Sequence, residues 1–109
     1  MATTYKVLGQ SNPAATTLTT LYTVPSATEA VVSSIVIANL AASAATFRIA
    51  VRPNGASIAN SQYIAYDITV GASDSTVLTL GLTLDAADVL SVYASTTTVT
   101  FSAFGSEIA

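Results

Sequence analysis

The chain has 109 residues, 51% of them apolar and only 8% charged, with three basic and six acidic side chains and a net charge of −3. That size is typical of a single domain, 1–109, and the apolar content excludes a disordered chain. The absence of cysteine and histidine removes thiol nucleophiles, imidazole acid-base chemistry, the usual zinc ligand sets and disulfides together. Lys6, Arg48 and Arg52 are the whole basic inventory, too few to line a nucleic-acid groove.

Charge scarcity also bears on assembly. A folded monomer of 11.0 kDa exposes ~5,600 Å², so the nine charged side chains stand about one per ~600 Å². Serine and threonine keep such a surface wet, and self-association or a partner covers part of it.

In chain order, short runs rich in Thr, Val, Ile and Tyr alternate with turn residues every eight to twelve positions, the pattern of an all-β sandwich or barrel. The predicted strands are Thr4–Leu8, Leu18–Val24, Glu29–Leu40, Ala45–Arg52, Gln62–Val70, Thr76–Leu84, Val89–Ser95 and Val99–Ser106. The fold class is therefore an antiparallel two-sheet β-sandwich of seven or eight strands, with immunoglobulin-like and jelly-roll topologies both open. Met1–Lys6 begins no secretory signal, lacking an apolar core of about 7–15 residues, so synthesis in a cytoplasm is expected. Ala30–Phe47 is uncharged over about the length of a membrane span. Its serines, Asn39 and the β-branched cluster Val31, Val32, Ile35, Val36, Ile37 favour a strand instead, and no membrane association is expected.

Glu29–Leu40 reads as apolar on both faces, as a central strand covered from both sides would be. Ala41–Ala45 has the composition of one helical turn. In Phe47–Arg52 the apolar set 47, 49, 51 faces inward, placing Arg48 and Arg52 on the outer face about 13 Å apart at ~3.3 Å per residue. Arg52-Pro53-Asn54-Gly55 reads as a type I turn. In the next strand Ile64, Tyr66 and Ile68 form the inward set and Asp67 faces the arginines. Leu78, Leu80, Leu82 and Leu84 point to the core while Val77, Thr79, Gly81 and Thr83 face out. Phe101 and Phe104 are three apart and do not share one strand face without a bulge, so one ring points out.

Candidate chemistry is thin. Asp85 and Asp88 are spaced to pair as acid and base or to hold calcium, but two carboxylates in a polar corner more commonly accept backbone N–H bonds. Asp74 reads as a turn residue. A serine with Lys6 as base has no motif around it. Tyr22, Tyr63, Tyr66 and Tyr93 raise glycan stacking against the commoner role of half-buried strand tyrosines with bonded hydroxyls. No catalytic, metal or cofactor residue is expected, and the reading is non-enzymatic.

The runs Leu21–Pro25, Ala30–Asn39, Phe47–Pro53, Tyr63–Asp67, Leu80–Leu84, Asp88–Ser95 and Phe104–Glu107 resemble those of small virion structural proteins of tailed bacteriophages, cyanophages notably, over almost the whole chain. The resemblance implies a β-sandwich capsid cement or decoration protein in the virion, bound to the major capsid protein or other virion proteins and commonly a homotrimer. A tail, baseplate or fibre adaptor is the alternative within the particle, and a carbohydrate-binding module the alternative outside it. Arg48, Arg52, Phe101, Phe104 and Ile108 are the candidate partner interface.

Overall fold

A computed structural model describes residues 2–109; Met1, where the N-terminal reading begins, lies outside them. The strands are β1 (Thr3–Ser11), β2 (Thr19–Thr23), β3 (Glu29–Asn39), β4 (Ala45–Arg52), β5 (Tyr63–Val70), β6 (Ser75–Leu84), β7 (Val89–Ala94) and β8 (Val99–Ile108). They form two four-stranded sheets, sheet A in the order β1-β8-β3-β6 and sheet B in the order β2-β7-β4-β5, with antiparallel neighbours throughout. Only β4 and β5 follow one another within a sheet. An immunoglobulin-type sandwich keeps its first two strands side by side; here they lie in opposite sheets, and the winding is that of a jelly roll.

Alternation supplies the core. Val32, Ile35 and Ile37 of β3 and Val99, Phe101 and Ala103 of β8 face Phe47 and Ile49 of β4 and Leu90 and Val92 of β7. The rings of Phe47 and Phe101 meet edge to face across the two sheets, with centroids 6.2 Å apart and planes at 74°, a favoured aromatic geometry. Phe101 is 1% exposed, which removes it from the partner interface: its ring fills the space between the sheets. Phe104, three residues on, is half-buried on the outer face of sheet A.

The apolar run of β3 has a different cause from burial on both faces. Val32 and Ile35 are both fully buried although three apart, because the pairing of β3 with β8 shifts between Val32 and Ser34, and the extra residue Ser33 exchanges the two faces. After the bulge Val36 and Ala38 lie on the outer face, half-buried among neighbouring strands. Matching shifts occur in β1 between Val7 and Gly9 and in β6 opposite Ser33. At this level position 105 has to be glycine, since a Cβ there would stand 1.9 Å from the Val31 carbonyl oxygen.

β5 departs most from the alternation read in the sequence. Ile64, Tyr66 and Ile68 are 44%, 54% and 44% exposed, whereas Ala65 and Val70 are buried. Two register shifts against β4 break the period of two, and β5 is a sheet edge with no strand beyond it. Leu78, Leu80 and Leu82 keep their expected inward direction but are only half-buried against the core, and Leu84 alone is buried. Position explains this too, because β6 is the edge of sheet A.

The loops correct two further expectations. The turn after β4 closes one residue later than the type I reading, with Ala56 N–H donating to the Pro53 carbonyl. Asn54 and Gly55 both have positive φ, as in a type I′ turn. Ala41–Ser43 forms a bend, not a helical turn. It is organised by Asn39, which is 2% exposed. The Asn39 amide donates to the carbonyls of Ser43 and Gly71 at 2.8 and 3.1 Å, and its oxygen accepts from Ala41 N–H and the Thr98 hydroxyl, each at 3.1 Å. One side chain thus ties the loops after β3, β5 and β7.

Candidate functional site

The predicted interface residues do not converge. Arg48 and Arg52 lie on the outer face of sheet B, Phe101 in the core and Phe104 on the outer face of sheet A. Ile108 is half-buried at the end of β8, paired with Thr3 and Glu29.

Arg48 is the centre of a built cluster. The β5 bulge opposite it brings Asp67 into the left-handed region at φ 52°, aiming the carboxylate across the strand. Arg48 Nε donates to Asp67 Oδ1 at 2.7 Å and Nη2 to Oδ2 at 3.3 Å, a two-point contact that fits the planar guanidinium. The guanidinium carbon also lies 4.1 and 4.2 Å from the ring centroids of Tyr66 and Tyr93, within cation–π range of both. Tyr63 meets Tyr66 edge to face at 4.9 Å. The Asp67 hydrogen bonds raise the Arg48 pKa above its already high value, partly opposed by desolvation, so the group stays charged and transfers no proton. Arg52 is held separately: Nε donates to the Ser91 hydroxyl at 3.1 Å and Nη1 to the Ala56 carbonyl at 3.2 Å. Asp67 therefore engages one arginine of the two, and both cations already have internal partners.

The outer face of sheet A offers a second surface. Tyr5 and Val7 are 84% and 47% exposed and flank, with Val31, Phe104 and Ser33, a shallow groove. Register places Val7 beside Phe104 and Tyr5 beside Ser106, so these side chains share one face. Lys6 lies at its margin but is committed to Glu107 at 3.1 Å.

Glu107 also accepts a short hydrogen bond from the Tyr22 hydroxyl. That bond foremost, with Lys6 assisting against the desolvation cost, lowers the Glu107 pKa below the ordinary glutamate value; burial, then the Glu107 contact, raises that of Tyr22. A carboxyl with a depressed folded pKa contributes stability that is complete above its unfolded value and is lost as pH falls through the folded one. Melting temperature should accordingly fall as pH drops below the ordinary glutamate range. Glu107→Gln should flatten that part of the profile while lowering stability at neutral pH, and an unchanged acid limb would discount the contact.

Asp85 and Asp88 accept backbone N–H groups. Asp88 takes those of Asn54 and Asp85 at 2.8 and 2.9 Å, and Asp85 that of Ala86 at 2.8 Å. Asp74 accepts from Ser75 N–H at 2.8 Å. Among the described residues no group of three or more acidic side chains is placed to hold a metal ion.

Fold and surface together define a jelly-roll β-sandwich with two aromatic faces. The chain matches no protein-family model, no curated protein and no solved structure. Sequence reasoning missed the Tyr5–Val7 face, because a terminal strand with one lysine gives no sign of which side is covered. It also missed the exposure of Tyr66, which depends on a bulge between strands.

Proposed function

We propose that this protein is a non-enzymatic virion structural protein of a tailed bacteriophage, a cement or decoration subunit that binds the icosahedral shell and works as a homo-oligomer. The observation that carries the reading is the outer face of sheet A, where Tyr5, Val7, Val31 and Phe104 offer a nearly uncharged apolar surface on a stiff two-layer body. A shell-binding subunit under mechanical load needs such a broad face and little internal mobility. Arg48 and Arg52 have a structural role in this reading, since each already makes two hydrogen bonds within the subunit.

A second reading, glycan binding, draws on the sheet B face, where Asn60 lies beside the rings of Tyr63 and Tyr66; ring faces of this kind stack on sugars. Glycan-array binding by the isolated protein would favour it.

The test is retention on purified particles. Labelled protein should be found over the shell in proportion to shell subunits, whereas labelling confined to the tail would make it a tail or baseplate component. Tyr5→Ser with Val7→Ser should reduce shell retention at least about 10-fold, as loss of apolar contacts predicts, and Arg48→Ser should leave it within about 2-fold, as for a residue outside the contact. Retention should change little as salt rises through the physiological range, because few charges take part. Absence from particles would overturn the reading.

A further inference from the structure

The two lateral sides of the sandwich are built differently. On one side β1 and β2 end the sheets and their backbones touch: a Cβ on Gly9 would stand 2.1 Å from the Leu21 carbonyl oxygen. The Tyr22–Glu107–Lys6 contacts clasp the same side. On the other side, where β5 and β6 end the sheets, inward-facing residues meet solvent. Leu78, Leu80 and Leu82 are half-buried, and Ile68, paired with fully buried Phe47, is 44% exposed.

The four edges also differ in protection. Soluble β proteins guard free edges with charge, proline, brevity or bulges. β1 carries Lys6, β2 has five residues, and β5 has two register shifts and Asp67. β6 has ten residues with no charge and no proline, and its one irregularity lies at Leu80–Gly81 opposite Ser33.

We propose that this side is a homodimer interface in which β6 pairs antiparallel with β6 of a second copy, joining two four-stranded sheets into one of eight. The occupant follows from self-complementarity. A two-fold axis sets each residue of β6 opposite another residue of β6, so the uncharged segment meets no like charge. Cross-strand partners share a face, so leucines meet the inner row of the mate while Val77 and Thr79 meet its outer row. The area is of the right order: ten residues extend about 33 Å, and a side as deep as the shortest extent of the fold, 19 Å, covers about 600 Å² per copy when β5 is covered along with β6, or about 1,200 Å² in total against the ~1,000 Å² a specific interface needs. Closure about a two-fold also consumes the β6 edge of both copies, whereas a head-to-tail contact would leave one β6 edge to propagate. The proposal deepens the self-association part of the proposed function, replacing the trimer implied by the resemblance, and does not depend on where the protein acts.

The test is light scattering on the full chain over a concentration series, with two variants. Wild type should have twice the 11.0 kDa chain mass, and Thr4→Lys, on the exposed β1 edge, should match it. Val77→Lys with Thr79→Lys places charges at exposed β6 positions and should raise the dissociation midpoint at least about 30-fold, through like-charge repulsion across the axis, with an unchanged circular dichroism spectrum. Amide exchange of Val77–Thr83 in wild type should slow as concentration rises, a readout that needs no variant. A wild-type monomer or trimer, an unmoved midpoint in the folded lysine variant, or exchange independent of concentration would overturn the proposal. An intact dimer that fails to bind particles would count against the virion reading alone.

Discussion

Replacing Phe101 by alanine is expected to lower folding stability by about 3–5 kcal/mol, the range for deleting a fully buried aromatic ring. The ring is 1% exposed and spans the sheets to reach Phe47, so its removal leaves a hole between two layers. β8 is hydrogen-bonded to β1 on one side and β3 on the other, which prevents the backbone from collapsing into that hole. Urea unfolding should show a lower midpoint with an unchanged slope. Phe104→Ala should cost about 1 kcal/mol or less, since its half-buried ring lies over the outer face. Equal losses for the two would mean that the inward phase of β8 is not the one described. The comparison also separates two kinds of importance, because under the proposed shell-binding role Phe104 would matter more for particle retention than for folding.

The second large effect is expected at Asn39. Asn39→Ala should cost about 2–4 kcal/mol, more than its size suggests, because it strips partners from several polar groups at once. The Ser43 and Gly71 carbonyls lose a donor, and Ala41 N–H and the Thr98 hydroxyl lose an acceptor. Asn39→Asp should be no better: a carboxylate accepts but cannot donate to carbonyls, and burying its charge adds a further penalty. Hydrogen exchange should localise the damage, with faster exchange at Ala41 and Ser73, whose N–H groups bond Asn39 Oδ1 and the Ala41 carbonyl, while Ile35 and Ile49 in the core keep most of their protection. Uniform acceleration would show that the side chain acts through global stability alone.

Much of the strand layout was legible locally. β4 has the predicted bounds, and the other strands differ from expectation by a few residues at their ends, most at β1, which runs on to Ser11 before Asn12 and Pro13. Turn chemistry was legible for the same reason: Asp74, Asp85 and Asp88 accept backbone N–H groups one to three residues away, although the further bond from Asn54 to Asp88 spans 34 positions. The candidate site was legible only in part. Arg48 and Arg52 face outward as alternation requires, and Asp67 meets Arg48 as its place in the next strand suggests, whereas the Ser91 hydroxyl that holds Arg52 comes from 39 positions away.

The sequence by itself determined the all-β character, the approximate strand positions and the direction of residues in strands that keep a strict period of two, as in Phe47–Ile49 and the leucines of β6. These depend on side-chain type and spacing over a few residues. Only the tertiary structure decided which sheet each strand joins, because all pairings but β4 with β5 link strands distant in sequence. It also decided where a bulge exchanges the faces, as at Ser33, and which leucines lie at an edge. Of Phe101 and Phe104 it sent the first to the core. Each of these outcomes depends on backbone hydrogen bonds and packing between segments, and neighbouring residues in the chain carry no local signal of them.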